Sequence, residues 1–263
     1  MKSVLITGAN DGIGFETAKQ LASKGYRVLA HARNKAKAEE AVKRLGGEST
    51  PVWGDLTRMS EVVSLAEQVQ AQAPALHVLV NNAGVYQDQR TMTADGFETT
   101  MGINHFAHAL LTKRVQPALL AAQQPRVLMV SGGVHLGARL DLGDLDLANG
   151  WSPMGAYSAS KLANALFAAA LALQEDWAGV WTCSLHPGVI NTKTLRRVFG
   201  SGGAPVAAGA ATSVYCTTAP GLEHHRGGYF SDSRPAAGNA ILGSQADVQR
   251  FWELTLERLR VWL

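Results

Sequence analysis

The chain has 263 residues, of which 46% are apolar and 17% charged; this balance folds as one large globular domain or two small ones and excludes a disordered chain. A net charge of +3 with no long basic run gives no electrostatic case for nucleic acid, and two cysteines, Cys183 and Cys216, are too few for a disulfide framework. Reduced thiols, the lack of an 18-residue apolar run and an N-terminal apolar run too short for a signal peptide lead us to expect a cytoplasmic protein without a membrane span.

Val4-Leu5-Ile6 reads as a strand buried on both faces. It runs into Thr7-Gly8-Ala9-Asn10-Asp11-Gly12-Ile13-Gly14, and a helix follows with Phe15, Ala18, Leu21 and Ala22 on one face, closed by Gly25. Strand, glycine loop and helix together aim backbone N–H groups and a helix N-terminus at a phosphate. The spacing here is G-x-x-x-G-x-G. Residues 26–33 read as the second strand, whose end faces an adenosine ribose in dinucleotide-binding folds. An acid at that end would accept from the ribose hydroxyls. Ala32 and Arg33 stand there instead, with Lys35 and Lys37 beyond, and a guanidinium suits a 2′-phosphate. Asp11, in the glycine loop, would oppose one.

Residues 35–45 read as a polar helix, and 51–53 as a third strand ending at Gly54-Asp55-Leu56. Residues 58–72 are helical, with Val62, Leu65, Ala66 and Val69 on one face. The fourth strand, 77–80, ends in Asn81-Asn82-Ala83-Gly84, small and amide residues that let a ligand approach closely. A long helix is expected over 95–120, with Asn104 inside it although an amide is a poor helix former. The fifth strand, 126–131, is followed by Gly132-Gly133 and by a loop carrying Leu136, Leu140, Leu142, Leu145, Trp151 and Met154.

The next helix opens on Tyr157-Ser158-Ala159-Ser160-Lys161 and continues as an alanine- and leucine-rich run. Tyr157 and Lys161 are four residues apart, so a phenol and an ammonium share one helix face. A neighbouring cation favours phenolate and would turn a poor acid into a usable general acid/base. Residues 180–185 form a sixth strand ending at His186-Pro187-Gly188. Residues 193–205 are glycine-rich and expected to be mobile, 207–217 helical, 227–230 a last strand and 245–260 a closing amphipathic helix. Strands alternating with helices predict an α/β fold: one Rossmann-like domain over 1–263, with a doubly wound parallel sheet of about seven strands, helices on both faces and a mobile lid around 193–212. Ligands of such sheets bind at the strands' carboxyl ends, where every special tripeptide falls.

Together these residues resemble the short-chain dehydrogenases/reductases. Gly8, Asn10, Gly12, Ile13 and Gly14 match that family's cofactor loop. Asp55 with Leu56 matches the segment at the adenine, and Asn82-Ala83-Gly84 its NAG motif. Asn104, Tyr157 and Lys161 fall on three of its four catalytic positions, and Pro187, Gly188, Val189 and Thr192 on the segment holding the nicotinamide end. Leu162 to Phe167, His186 and Gly227-Gly228-Tyr229-Phe230-Ser231-Asp232 are similar to the branch with retinol dehydrogenases and WW-domain oxidoreductases. The N-terminal anchor of many retinol dehydrogenases is not in this sequence, which argues against retinoid chemistry.

The resemblance implies hydride transfer between a nicotinamide and a carbonyl or carbinol carbon. Tyr157 would move the proton. Lys161 would lower the phenol's pKa and hold the nicotinamide ribose, and Asn104 would fix a water that links Lys161 to solvent. Arg33 implies NADP(H) over NAD(H). The expected partner is a small hydrophobic ketone, aldehyde or alcohol, lying against Tyr86, Leu136, Trp151, Met154 and Val189. The family's fourth catalytic residue, a serine, is Gly132 here, and Ser131 points to the opposite face. Reduced activity is expected; the rival readings are a lapsed nucleotide-binding regulatory module and an introduced change at 132. Relatives pair through the Tyr/Lys helix, but twenty-five residues separate Gly132 from Tyr157, and a loop of that length can cover the pairing face. A monomer is therefore expected.

Overall fold

The computed structural model describes residues 1–263, the side chains of Thr194, Val198 and Phe199 excepted. Its centre is an eight-stranded sheet in the order β3-β2-β1-β4-β5-β6-β7-β8. β1 (Ser3–Ile6), β2 (Arg27–Ala32), β3 (Thr50–Trp53), β4 (Val78–Asn81), β5 (Arg126–Val130), β6 (Trp181–His186) and β7 (Tyr229–Ser231) are parallel, and β8 (Arg234–Ala236) returns antiparallel to β7. The strand order reverses between β1 and β4, which makes the gap beyond their carboxyl ends the place for a ligand.

The strands read as continuous apolar runs because both faces are covered. Leu5, Leu79, Val127 and Met129 face one core, and Val4, Ile6, Val80, Leu128 and Val130 the other. α1 (Gly12–Ser23), α2 (Lys35–Leu45) and α10 (Ala211–Thr218) cover the second face. α3 (Met59–Gln72), α5 (Ala107–Arg114), α7 (Pro153–Leu173) and α11 (Gln245–Leu259) cover the first. α7 is long and apolar enough to span a bilayer by composition, but it is the core helix, with 72% of its apolar window buried in the protein.

The expected last strand gains a partner, β8, through a two-residue turn at Asp232 and Ser233, with φ of 50° and 57°. Such turns favour glycine, so an Asp-Ser pair before an exposed Arg-Pro-Ala gave no strand signal. Proline stands on both edge strands, Pro51 on β3 and Pro235 on β8, where a missing N–H costs no ladder bond. The expected helix over 95–120 is broken into α4 (Thr99–Met101), a π turn over Gly102–Phe106, α5 and α6 (Gln116–Leu120). Glu98 starts it late by capping Met101 N–H at 2.7 Å, and Pro117 ends the run of α5. Within 193–205, α8 (Lys193–Phe199) is helical, capped by Thr192, whose hydroxyl accepts from Leu195 N–H at 3.1 Å. α9 (Val206–Gly209) follows it.

α11 lies along α7: Trp252 stacks on Phe167 with ring centroids 5.6 Å apart, and Thr255 bonds His105 at 3.1 Å. The C-terminal helix thus covers part of the α7 surface.

Candidate active site

The carboxyl ends of β1 to β6 open into a cavity of about 540 Å³. Gly8, Asn10, Gly12, Ile13, Gly14, Arg33, Asp55, Leu56, Asn82, Ala83, Gly84, Tyr157, Lys161, Pro187 and Thr192 all line it. Glycine is required at 14 for steric reasons: a Cβ there would run into the Gly8 carbonyl and the Asn82 side-chain amide. That amide donates to the Thr7 carbonyl at 2.8 Å and ties the ends of β1 and β4 together. α1 points its N-terminus into the cavity, with Asp11 accepting from Gly12 N–H at 2.8 Å. This is a cradle for a diphosphate. Arg33 stands on the rim with Nε 3.8 Å from Asp55 Oδ2, and Lys37 lines the same end. Asp11, set against a 2′-phosphate by its charge, is ion-paired with Lys193, which holds its carboxyl below the usual range.

Two buried histidines in this half carried no sequence signal. His31 on β2 accepts from Gly8 N–H through Nδ1 at 3.1 Å and donates to the Gly54 carbonyl through Nε2 at 2.9 Å. His108 on α5 accepts from the Thr7 hydroxyl at 2.9 Å and donates to the Asn104 carbonyl at 2.9 Å. The Thr7 oxygen in turn accepts from Asn82 and Ala83 N–H at 2.8 and 2.9 Å. Burial pushes His31 down to about 4 and His108 to about 3, so both rings are neutral props of the loop.

α7 is started by Ser152, which accepts from Gly155 N–H, and by Pro153 in its first turn. It carries Tyr157 and Lys161 to the inner end of the cavity. Lys161 is 4% exposed, and its Nζ donates to the Val130 carbonyl at 3.0 Å, 5.6 Å from the Tyr157 ring centroid. The expected lowering of the phenol is not met by the chain alone. Burial pushes Tyr157 up to about 12 and Lys161 down to about 8, because desolvation outweighs the attraction of an ammonium turned towards Val130. Tyr157 is therefore a protonated donor. Lys161 has three N–H groups and, among the described residues, one partner, which leaves donors for the hydroxyls of a ribose.

Asn104 does not line the cavity; it is fully buried in the π turn behind it. Its side chain accepts from Val85 N–H at 2.8 Å and donates to the Val85 carbonyl at 3.0 Å and to Ser160 at 2.9 Å. Ser160 donates to the Tyr157 carbonyl at 2.7 Å, so Asn104 braces the segment after β4 against α7. A Cβ on Gly84 would lie 3.4 Å from Lys161 Nζ and 3.5 Å from Asn104 Oδ1, so the three positions converge.

At 132 neither backbone nor space demands glycine. Its φ is −176°, and a Cβ would meet nothing closer than 3.7 Å, at Lys161 Cγ and Val134 Cγ2. Ser131 lines the cavity, but its hydroxyl is committed to the Lys161 carbonyl, to which it donates at 2.6 Å. Of the residues expected against the substrate, Tyr86 meets Tyr157 edge-on at 5.7 Å. Trp151 does not join them: its indole donates to Glu98 at 3.2 Å, and it lines a separate hollow of about 240 Å³ with Ser152, Ala156 and Ala159. Leu136, Met154, Gly188 and Val189 stand outside the cavity wall, Leu136 and Val189 being 49% and 62% exposed. The loop that carries Leu136 is pinned by Asn239, whose amide donates to the carbonyls of His135, Leu136 and Ala138 at 2.8, 3.1 and 3.0 Å. A bond across a hundred residues of chain left no local pattern to read.

A glycine loop at a helix N-terminus, leading to a half-buried tyrosine beside a buried lysine, fits an oxidoreductase that uses a nicotinamide dinucleotide. The comparisons agree. Residues 2–200 match the family model of the short chain dehydrogenases. The chain is 36% identical to human retinol dehydrogenase 12 over 274 residues, covering 99% of this chain and 87% of that one. It is 35% identical to human retinol dehydrogenase 11 over 98% of this chain and 86% of that one. It is 36% identical to the WW domain-containing oxidoreductase of Pongo abelii over 98% of this chain and 68% of that one. Among solved structures, an uncharacterised protein from Mycobacterium paratuberculosis superposes with a TM-score of 0.82 at 29% identity, over 99% of this chain and 94% of that one. Salutaridine reductase from Papaver somniferum shares the fold, with a TM-score of 0.71 at 23% identity over 88% of this chain and all of that one. The chain belongs to the short-chain dehydrogenase family.

Proposed function

We propose that the protein transfers hydride between NADP(H) and a hydrophobic ketone, aldehyde or alcohol, with Tyr157 as the proton donor or acceptor. The observation that carries this reading is the pairing of a half-buried Tyr157 with a buried Lys161 in the wall of the cavity. When bound, the nicotinamide supplies or takes up the hydride. The chain does the rest. Tyr157, protonated at neutral pH, gives its proton to the substrate oxygen as negative charge develops there. The spare N–H groups of Lys161 hold the ribose hydroxyls, and its charge favours the phenolate left behind. Asn104 keeps the 84–85 backbone and α7 in register. Arg33 and Lys37 meet the 2′-phosphate.

Over the cavity, α8 is tied to one wall by Lys193–Asp11 and to the segment after β4 by Arg197–Asp88, which suits a lid over 193–212. A monomer fits the α7 surface covered by α11; a light-scattering mass of twice 27.9 kDa would count against it.

The test is consumption of NADPH and NADH, followed at the nicotinamide absorbance, with a panel of aromatic and long-chain ketones and aldehydes. The names of the relatives add retinal to that panel. NADPH should be consumed by the native chain and not by Tyr157→Phe. Gly132 favours one rival, a module that binds the dinucleotide without turnover. Tight NADPH binding with no substrate consumed in either direction would establish that rival.

A further inference from the structure

We propose that His186 donates, through Nε2–H, the hydrogen bond to the substrate oxygen that the missing side chain at 132 cannot. This rests on the oxidoreductase reading above. Val130 and Leu185 are paired neighbours on β5 and β6, so Gly132-Gly133 and His186-Pro187 leave the sheet side by side. The imidazole lies against the turn: Gly133 N–H donates to His186 Nδ1 at 3.0 Å. A ring that accepts at Nδ1 carries its proton on Nε2 when neutral. Burial holds His186 in that neutral form, with Lys161 and His135 acting in the same direction and Asp232 against.

Among the described residues nothing accepts from Nε2; the only hydrogen bond of this side chain is the one at Nδ1. The ring is half-buried, so this donor is reachable. A Cβ on Gly133 would lie 3.4 Å from Nε2, and one on Gly132 would lie 3.7 Å from the Lys161 stem. The imidazole edge thus borders the side-chain-free Gly132-Gly133 turn, between Ser131 and Pro187 of the cavity wall. The proton on Nε2 stays on the ring; Tyr157 alone transfers one.

The test is a double-mutant cycle between His186→Phe and Gly132→Ser, run with NADPH and the best carbonyl found. A binding measurement for NADPH and a melting curve accompany each variant. His186→Phe should lower kcat at least about tenfold in the native chain, with NADPH affinity held within about twofold. In the Gly132→Ser background the same loss should shrink at least about fivefold, because the introduced hydroxyl takes over the donor's place. An equal loss in both backgrounds would mean that His186 only holds the Gly133 turn and would overturn the proposal. No loss in the native chain would overturn it as well. His186→Gln, which keeps an acceptor for Gly133 and a donor beyond it, should recover part of the rate; a variant that melts early with no such recovery counts as structural and against the proposal. Tyr157→Phe separates the two levels: if it leaves turnover intact, the oxidoreductase reading fails, whereas a flat cycle with an inactive Tyr157→Phe fails only His186.

Discussion

The two halves of the cavity were built under different constraints. In the cofactor half the glycine loop, Asp55 and Asn82-Ala83-Gly84 each lie where a strand ends, a place the sequence marks, and close backbone approach fixes Gly14, which has no room for a Cβ beside Gly8 and Asn82. In the substrate half, long-range bonds set the shape. Asn239 pins the 135–138 turn, Glu98 turns Trp151 away and His186 holds Gly133. A ligand common to a whole family fixes its half residue by residue. A substrate particular to one chain leaves its half to be assembled from distant contacts, and there the glycine at 132 is a choice that neither backbone nor packing imposes.

The first way to break this comparison is at the junction of the halves. Tyr157→Phe keeps the ring and removes the proton, so turnover should fall by about 10²–10⁴-fold while NADPH still binds. Normal turnover would move the chemistry elsewhere.

Acid should destabilise the cofactor half, because His31 and His108 prop its loop as neutral rings; His105, neutral against α11, adds a like loss outside it. The folded pKa values of His31 and His108, about 4 and about 3, lie below the ordinary 6.5, so the stability they hold is complete above pH 6.5 and is lost as pH falls towards those values. Between pH 7.5 and 5 each group should cost about 2 kcal/mol. Denaturant melts at both pH values check this. Replacing His31 with glutamine should flatten its share, and an unchanged pH dependence would show that its ring does not titrate as described.

Cofactor choice is the next step down in size. Arg33→Ala should weaken NADP(H) by about ten- to a hundredfold, from a charge-assisted contact of about 1.5–3 kcal/mol, with NAD(H) little changed. Equal affinity of the native chain for both cofactors would refute the assignment of the rim to a 2′-phosphate.

Gly132→Ser sharpens the substrate half and should have the smallest effect, a rise of about tenfold in turnover of simple ketones at constant NADPH affinity. A fall towards one bulky substrate would show that the space at 132 is used by that substrate. Rates unchanged for every carbonyl would mean that position 132 does not touch the reacting oxygen.

By itself the sequence determined the order of strands and helices, the cofactor loop and the places of Tyr157 and Lys161. Those signals are local: apolar runs of four or five residues, glycine where a Cβ cannot fit, and two side chains one helical turn apart. Its errors were local conflicts as well, an Asp-Ser hairpin without glycine and a long helix interrupted by a π turn and Pro117. Only the tertiary structure decided that Lys161 turns its ammonium to Val130 and that burial raises the phenol. It alone brought His31 to Gly8, His108 to Thr7 and His186 to Gly133. An imidazole in an apolar run looks the same whether it packs, props a loop or faces a substrate. The difference lies in which backbone N–H the sheet order delivers to its nitrogen, and that is settled only when β5 and β6, or β1 and β2, pair side by side.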